Sequence, residues 1–315
     1  MQAPELVDRM IQEDRRAVAR AISLVENAAP QLREIMAGLA PHTGRARIVG
    51  LTGSPGVGKS TSTNALVKAL RARRESVAVL AVDPSSPFTG GALLGDRVRM
   101  QEHATDNGVF IRSMASRGHL GGLSWATPHA LRVLDAAGFD VILVETVGVG
   151  QAEVDIARHA DTTVVLCAPG MGDSVQAAKA GVLEIADIFV VNKADREGAR
   201  VTVRELRQMV GQVERAPEEW KPPIVSTVAA KGEGVEELLE RLDQHHAHLT
   251  DSGELNRRRI ARAREEIEAI VMSVLRERLG DIHGHAGLDK LADAVATGHG
   301  DPYTAADTLL SALDR

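Results

Sequence analysis

The feature that most constrains this sequence is one eight-residue stretch, Gly53-Ser54-Pro55-Gly56-Val57-Gly58-Lys59-Ser60. It fits the pattern G-x-x-x-x-G-K-[ST] without a mismatch. It lies between an apolar run at 48–51 and a helix-compatible segment that begins at Thr61. A strand, a glycine-rich turn and a helix in this order are the context of a phosphate-binding loop. The sequence therefore predicts a nucleotide-binding α/β domain.

The chemistry of this loop is the capture of an anion. Its glycines allow successive backbone N–H groups to surround phosphate oxygens, and the start of the following helix adds a partial positive charge. Lys59 can then reach the β- and γ-phosphates, and the Ser60 hydroxyl can bind Mg²⁺. We assign all eight residues, together with Thr61, to nucleotide binding.

Between residues 45 and 248, apolar runs that suit strands alternate with helix-compatible segments. Runs such as 141–144 are apolar throughout, as in strands that are covered on both faces. The alternation predicts an α/β fold with a mostly parallel sheet, whose ligands bind at the carboxyl ends of the strands. The predicted strands are 47–52, 76–82, 109–112, 140–145, 162–168, 187–191 and 223–228.

Helical extensions flank this nucleotide domain. The spacing of apolar residues predicts helices in 1–44, and it predicts a long amphipathic helix at 252–279 followed by two shorter ones. The chain is therefore divided into residues 1–44, 45–250 and 251–315. The apolar stripe of the long helix must be buried either on its own domain or on a second copy, and the residues leave both open.

Composition excludes several classes of protein. The chain has 315 residues and a formal net charge of -6, without the basic excess of a nucleic-acid-binding surface. No apolar run reaches membrane-spanning length, and the start of the chain lacks the apolar centre of a signal peptide. The single cysteine, Cys167, lies in a Val-rich run and is predicted to be a buried small hydrophobe. We expect a cytoplasmic protein without a membrane or nucleic-acid partner.

A second motif, Asn192-Lys193-Ala194-Asp195, follows the apolar run 188–191 and matches N-K-x-D, the pattern that reads guanine. The Asp195 carboxylate can accept two hydrogen bonds from the guanine N1–H and exocyclic amine. Adenine has no such pair of donors on that edge and would leave the carboxylate unpaired, which gives strong discrimination. The Lys193 stem can lie over the base. At the end of the last predicted strand, the backbone of Val228, Ala229 and Ala230 can contact the guanine carbonyl oxygen.

Three acidic residues compete for the metal ion and the attacking water. Glu145 follows the apolar run 141–144 and begins Glu145-Thr146-Val147-Gly148, which resembles D-x-x-G with Glu in place of Asp. Asp83 also ends a predicted strand, whereas Asp96 lies further along. We expect Ser60 as a direct Mg²⁺ ligand, Glu145 through water, and Asp83 or Asp96 on the metal or the water. Ordinary loop capping is the alternative for Asp83 and Asp96.

The residue after Gly148 is Val149, so the water-positioning Gln of Ras-type enzymes is absent there. We therefore expect slow intrinsic hydrolysis.

With these motifs, the chain resembles the MeaB/ArgK/MMAA family of P-loop GTPases over nearly its whole length. Besides the phosphate loop, the specific stretches are 82–87, 95–100, 145–151, 220–222 and 232–234. One departure is Val228, where the family often has Ser. The resemblance implies the signal-recognition/MinD class of fold and a homodimer joined by the C-terminal helices.

The resemblance also implies a chaperone of methylmalonyl-CoA mutase or a related adenosylcobalamin-dependent mutase. GTP binding and hydrolysis would gate cofactor loading and protect the mutase, without direct cobalamin binding by this chain. The signal would pass through loops at about 83–100, 145–158 and 169–183, with Gly148, Gln151, Asp173 and Lys179 as switch residues.

Three other functions remain open. A nickel-delivering GTPase needs clustered imidazole or thiol ligands. Its candidates are His245, His246, His248, His283 and His285, which we interpret as surface histidines. A transport-linked kinase needs an acceptor site, for which no separate motif is found. A nucleotide-gated binding module would have negligible turnover.

Overall fold

The computed structural model describes residues 2–83, 101–103, 105–115, 126–146, 152–170, 183–279 and 286–313. The chain divides into two compact units, residues 1–258 and residues 259–315. The first unit is built around a single sheet, whereas the described part of the second unit is helical.

A seven-stranded sheet forms the centre of the first unit. Its order is β3-β2-β4-β1-β5-β6-β7, and every pair of neighbours is parallel. Strands β2 to β4 therefore lie on one side of β1, and β5 to β7 lie on the other. The strands are β1 (Arg47–Thr52), β2 (Val77–Asp83), β3 (Val109–Ala115), β4 (Val141–Thr146), β5 (Thr162–Cys167), β6 (Ile188–Asn192) and β7 (Ile224–Thr227).

Helices of the first unit cover both faces of this sheet. They are α1 (Ala3–Ile11), α2 (Arg15–Glu26), α3 (Leu32–Leu39), α4 (Lys59–Ala72), α5 (Ala126–Ala136), α6 (Ala152–His159), α7 (Ala199–Gln212) and α8 (Val235–Asp251). Helix α9 (Glu254–Leu279) begins in the first unit and continues into the second, which also contains α10 (Ala286–Ala296) and α11 (Pro302–Leu313). Single helical turns occur at Ala40–His42, Gln101–His103, Leu183–Ile185 and Ala229–Lys231.

Burial follows the continuous apolar runs of the strands. Every residue of β4, β5 and β6 is buried. On one face, α1, α2, α3 and α5 share a core with β-strand residues such as Leu80 and Ile142. On the other face, α4 and α8 pack on residues such as Leu143 and Leu166. Each buried aliphatic side chain contributes about 1.5–3 kcal/mol to folding, so the sheet gives the loops at its edge a rigid base.

The described part of the second unit has several exposed apolar side chains. Those of α9 are exposed by 42–61% and are Ile260, Ile267, Ile270, Val271, Met272 and Leu275. Helices α10 and α11 pack on each other. Asp301 caps α11 because its Oδ1 accepts hydrogen bonds from the N–H groups of Tyr303 and Thr304.

The structure confirms the predicted parallel α/β fold. The bounds of six strands agree with the predicted ones to within one residue at each end, whereas β3 continues three residues further, to Ala115.

Candidate functional site

The phosphate loop, residues 53–58, connects β1 to α4 at the carboxyl edge of the sheet. Gly58 has a φ of 98° and is the left-handed residue that precedes the first turn of α4. Val57 is fully buried in the core beneath α4, whereas Pro55 and Gly56 are exposed. A helix N-terminus favours a bound anion through its N–H groups and its dipole. The loop thus connects a strand to the start of a helix, in the order that the sequence predicts.

Lys59 lies against this loop. Its ammonium Nζ donates hydrogen bonds to Gly53 O at 2.6 Å and to Ser54 O at 3.2 Å, and the residue is only 7% exposed. A phosphate group in the loop would therefore compete with these two carbonyls for the same cation.

Ser60 and Glu145 meet at the end of β4. The Ser60 hydroxyl donates to Glu145 Oε1 at 2.6 Å, and both residues are more than nine-tenths buried. The parallel register of β1 and β4 places Glu145 beside Leu51, one residue from the end of β1. A hydroxyl and a carboxylate are the hard oxygen donors that Mg²⁺ prefers, so this pair fits a magnesium site.

Thr63 also contacts Glu145, and the sequence interpretation missed it. Its Oγ1 lies 3.0 Å from Glu145 Oε2 and 3.1 Å from Lys59 O, and the side chain is fully buried. The signal that could have found it is spacing, since Thr63 lies three residues after Ser60 and therefore on the same face of α4.

Asn192, the last residue of β6, joins the two motifs. Its amide Nδ2 donates to Val57 O at 2.9 Å. Its Oδ1 accepts hydrogen bonds from the Ala229 N–H at 3.1 Å and from the Thr227 hydroxyl at 3.2 Å. One buried amide therefore holds the phosphate loop, the N-K-x-D turn and the loop after β7 together.

Lys193 adds a second link. It has a φ of 57°, and its Nζ donates to Gly56 O at 2.6 Å. The ammonium end of the side chain therefore lies at the phosphate loop.

Asp195 is exposed at the same edge of the sheet. Its Oδ2 lies 3.2 Å from Lys231 Nζ, and the two side chains are 44% and 56% exposed. Both groups are solvated, so this ion pair contributes about 0–1 kcal/mol and can open readily. In the loop after β7, Val228 and Ala229 are buried and Ala230 is exposed.

Several predicted site residues lie outside the described residues. They are Asp96, Gly148, Gln151, Asp173 and Lys179. For Asp83 only the backbone is described, and it ends β2 opposite Ala115 of β3. Thr61 is exposed on the first turn of α4.

The interpretation of the histidines as surface residues is wrong for His245. This side chain is fully buried on α8, where its Nδ1 lies 2.8 Å from Thr162 Oγ1 and its ring centroid lies 4.8 Å from that of Trp220. Its Nε2 lies 3.3 Å from Asp187 Oδ1, an ion-pair distance without good hydrogen-bond geometry. The local sequence around His245 does not predict this burial, because its partners Thr162, Asp187 and Trp220 come from distant segments of the chain.

Among the described residues, no group of three or more His, Cys, Asp or Glu side chains is arranged to hold a metal ion. His283 and His285 lie outside them. None of the described helices is both long and apolar enough to cross a bilayer.

Comparison with known proteins gives concordant matches. The family model described as methylmalonyl-CoA mutase-associated GTPase MeaB matches residues 18–282. The chain is 51% identical over 314 residues to a candidate GTPase of Pyrococcus horikoshii, with 98% of each sequence covered. It is 35% identical over 294 residues to the GTPase ArgK of Escherichia coli, covering 91% of this chain and 88% of that protein. The crystal structure of an LAO/AO transport system kinase superimposes with a TM-score of 0.76 at 27% identity, covering 99% of this chain and 98% of that one.

Proposed function

Because this chain belongs to the MeaB family of methylmalonyl-CoA mutase-associated GTPases, we propose that it binds GTP with Mg²⁺ and hydrolyses it slowly. The phosphates would lie in the loop 53–60, and the guanine would lie between Lys193, Asp195 and the loop 228–230.

The observation that carries this proposal is the hydrogen bond from Asn192 Nδ2 to Val57 O. It fastens the turn with the base-reading pattern to the loop with the phosphate-binding pattern. Two motifs that lie more than a hundred residues apart in sequence are thereby held at one edge of the sheet, as a nucleotide that spans both would require.

Lys59, Ser60 and Glu145 would bind the phosphates and the metal ion. Lys59 would exchange the neutral carbonyl acceptors of Gly53 and Ser54 for anionic phosphate oxygens, which attract its ammonium group more strongly. Ser60 and Glu145 would hold Mg²⁺, which supplies positive charge to the phosphate oxygens when bound. Asp83 and Asp96 remain the candidates for orienting the attacking water.

Asp195 would read the base. Its carboxylate is exposed enough to accept the N1–H and exocyclic amine of guanine, and the weak contact with Lys231 is readily exchanged for these two bonds. The Lys193 side chain, bonded to Gly56 O, would form one wall of the base site.

The second part of the proposal is biological. The family name supports a role as a chaperone of methylmalonyl-CoA mutase or a related cobalamin-dependent mutase. GTP binding and hydrolysis would gate adenosylcobalamin loading, and this chain would not bind cobalamin itself. The exposed apolar residues of α9 support a homodimer formed through residues 251–315. The protein would act in the cytoplasm.

Two measurements test this proposal. Calorimetry with purified protein and Mg²⁺ should give binding heat with GTP and GDP but not with ATP, and Lys59→Ala should lose it. Release of GDP and phosphate should then be compared with and without a cobalamin-dependent mutase from the same source. Absence of heat with both guanine nucleotides would refute the GTPase assignment, whereas identical turnover with and without every mutase would refute only the chaperone assignment.

A further inference from the structure

Thr63 has a buried hydroxyl that contacts the Glu145 carboxylate. It is fully buried on α4, and its hydroxyl lies between Glu145 Oε2 at 3.0 Å and Lys59 O at 3.1 Å. Glu145 Oε1, the other oxygen of the same carboxylate, accepts from Ser60. Two hydroxyls, one turn apart on one helix, therefore hold the two oxygens of one carboxylate.

The hydroxyl has a single proton, which decides what the contact does. Lys59 O is the i−4 carbonyl of Thr63 and already accepts the backbone N–H of the helix. An ionised carboxylate has no proton and can only accept. The Thr63 proton therefore goes to Glu145 Oε2, where it forms the stronger, charge-assisted bond.

We propose that Thr63 is a positioning residue, which holds Oε2 so that Oε1 stays directed at Ser60 and at a Mg²⁺ bound there. This inference rests on the proposed GTPase function. Without the Thr63 hydroxyl, Glu145 Oε2 loses this hydrogen bond, which removes one constraint on the rotation of the carboxylate. The oxygens would then be held less firmly in the geometry that Mg²⁺ demands.

The chain offers a matched control in the preceding residue. Ser62 is 4% exposed, and its Oγ has no hydrogen-bond partner among the described residues. Removing this hydroxyl takes a buried polar group from the same turn of α4 without touching the carboxylate. Thr63→Val keeps the shape of the side chain and removes only the donor.

The test measures how Mg²⁺ slows the release of a fluorescent GDP analogue, together with melting temperature. For Thr63→Val we expect the Mg²⁺ concentration at half-effect to rise about tenfold or more, as for the loss of a hydrogen bond to a charged group. The affinity for GDP in EDTA should stay within about twofold of wild type, because that state uses no metal. Ser62→Ala and Thr63→Ser should keep the wild-type Mg²⁺ response.

A double-variant test shows whether Thr63 acts through Glu145. In the Glu145→Gln background, Thr63→Val should add less than about a twofold change in the Mg²⁺ response, since no carboxylate remains to be held. If Thr63→Val does not fold, Thr63→Ala is tested in the same way. A folded variant that lacks the hydroxyl and responds to Mg²⁺ as wild type does overturns the positioning role alone. A wild-type protein that binds no GDP, with or without Mg²⁺, overturns the proposed function as well.

Discussion

Asn192 Nδ2 lies 2.4 Å from the place that a Cβ on Gly58 would take, so the amide occupies the space that only glycine leaves. The same amide donates to Val57 O. The glycine at the end of the phosphate loop is therefore required twice, by its φ of 98° and by the close approach of β6.

This relationship predicts that Gly58→Ala lowers GTP affinity by well over tenfold, because the Cβ must displace the buried amide that holds the loops together. Gly44→Ala is the matched control. Gly44 has a φ of 100°, and a Cβ added there would meet no atom within 4 Å, so that change costs only about 1–2 kcal/mol of backbone strain. Titration with GTP and a urea unfolding curve for each variant separate the two effects. Equal losses of GTP affinity in both variants would contradict the contact with Asn192.

The second prediction concerns the base. Asp195→Asn replaces an acceptor pair by one acceptor and one donor, so GTP affinity should fall by about tenfold or more. Xanthosine triphosphate, whose C2 carbonyl accepts where guanine donates, should bind better to the variant than to wild type. Glu197→Gln is the control, since this exposed carboxylate lies two residues away. Competition binding measures the affinities for GTP, ATP and xanthosine triphosphate. If the ratios of these affinities are the same for Asp195→Asn and wild type, Asp195 does not read the base.

The sequence predicted local elements and motifs of this protein better than contacts between distant segments. The strands were predictable because buried parallel strands are apolar at nearly every position, as in β4, and the phosphate loop was predictable because its spacing is fixed within one segment. Contacts between distant segments were not predictable in this way, because they depend on how the strands are paired. Thr63 carries no motif of its own, and its role depends on the register that brings Glu145 beside β1. The buried His245 likewise contacts Thr162 and Trp220, which lie in distant parts of the sequence.

The third prediction concerns Cys167, which is 2% exposed at the end of β5. Burial raises the pKa of its thiol to about 11. Only on the order of one thiol in a thousand is then ionised at pH 8, and the thiolate is the reactive form. A chromogenic thiol reagent at pH 8 should therefore react with the folded protein negligibly, and with one thiol per chain in guanidinium chloride. Rapid stoichiometric labelling of the folded protein would contradict this burial.

The fourth prediction concerns Asp187. Burial alone would raise the pKa of its carboxyl, but His245 and Arg258 outweigh burial and lower the pKa below its ordinary value. Arg258 donates to both carboxylate oxygens at 3.0 Å. A lowered folded-state pKa means that the stabilisation is present above the unfolded pKa of about 4 and is lost as the pH falls through the folded pKa.

Asp187→Asn should therefore lower the free energy of unfolding by about 3 kcal/mol at pH 7. This value is at the lower end for a broken buried ion pair, because the Arg258 side chain is 34% exposed. The difference from wild type should shrink below about pH 4. Urea unfolding across pH measures it, with the exposed Asp251→Asn as a control that changes stability by less than about 0.5 kcal/mol. A difference that stays constant down to pH 2 would exclude ionisation of Asp187 as its source.

The last prediction concerns the proposed dimer, and Arg258 determines how it must be tested. A chain that ends before residue 252 loses the apolar stripe of α9, but it also loses the arginine that neutralises Asp187. Instability and loss of the dimer would then be confounded.

A chain that ends at Arg258 keeps that ion pair and removes only residues 259–315, the second compact unit. By light scattering, we expect the full chain to be dimeric and the shortened chain to be monomeric. The two chains should bind GTP with equal affinity, because the described residues of the proposed site all precede residue 232. A dimer that persists without residues 259–315 would place the interface on the first unit.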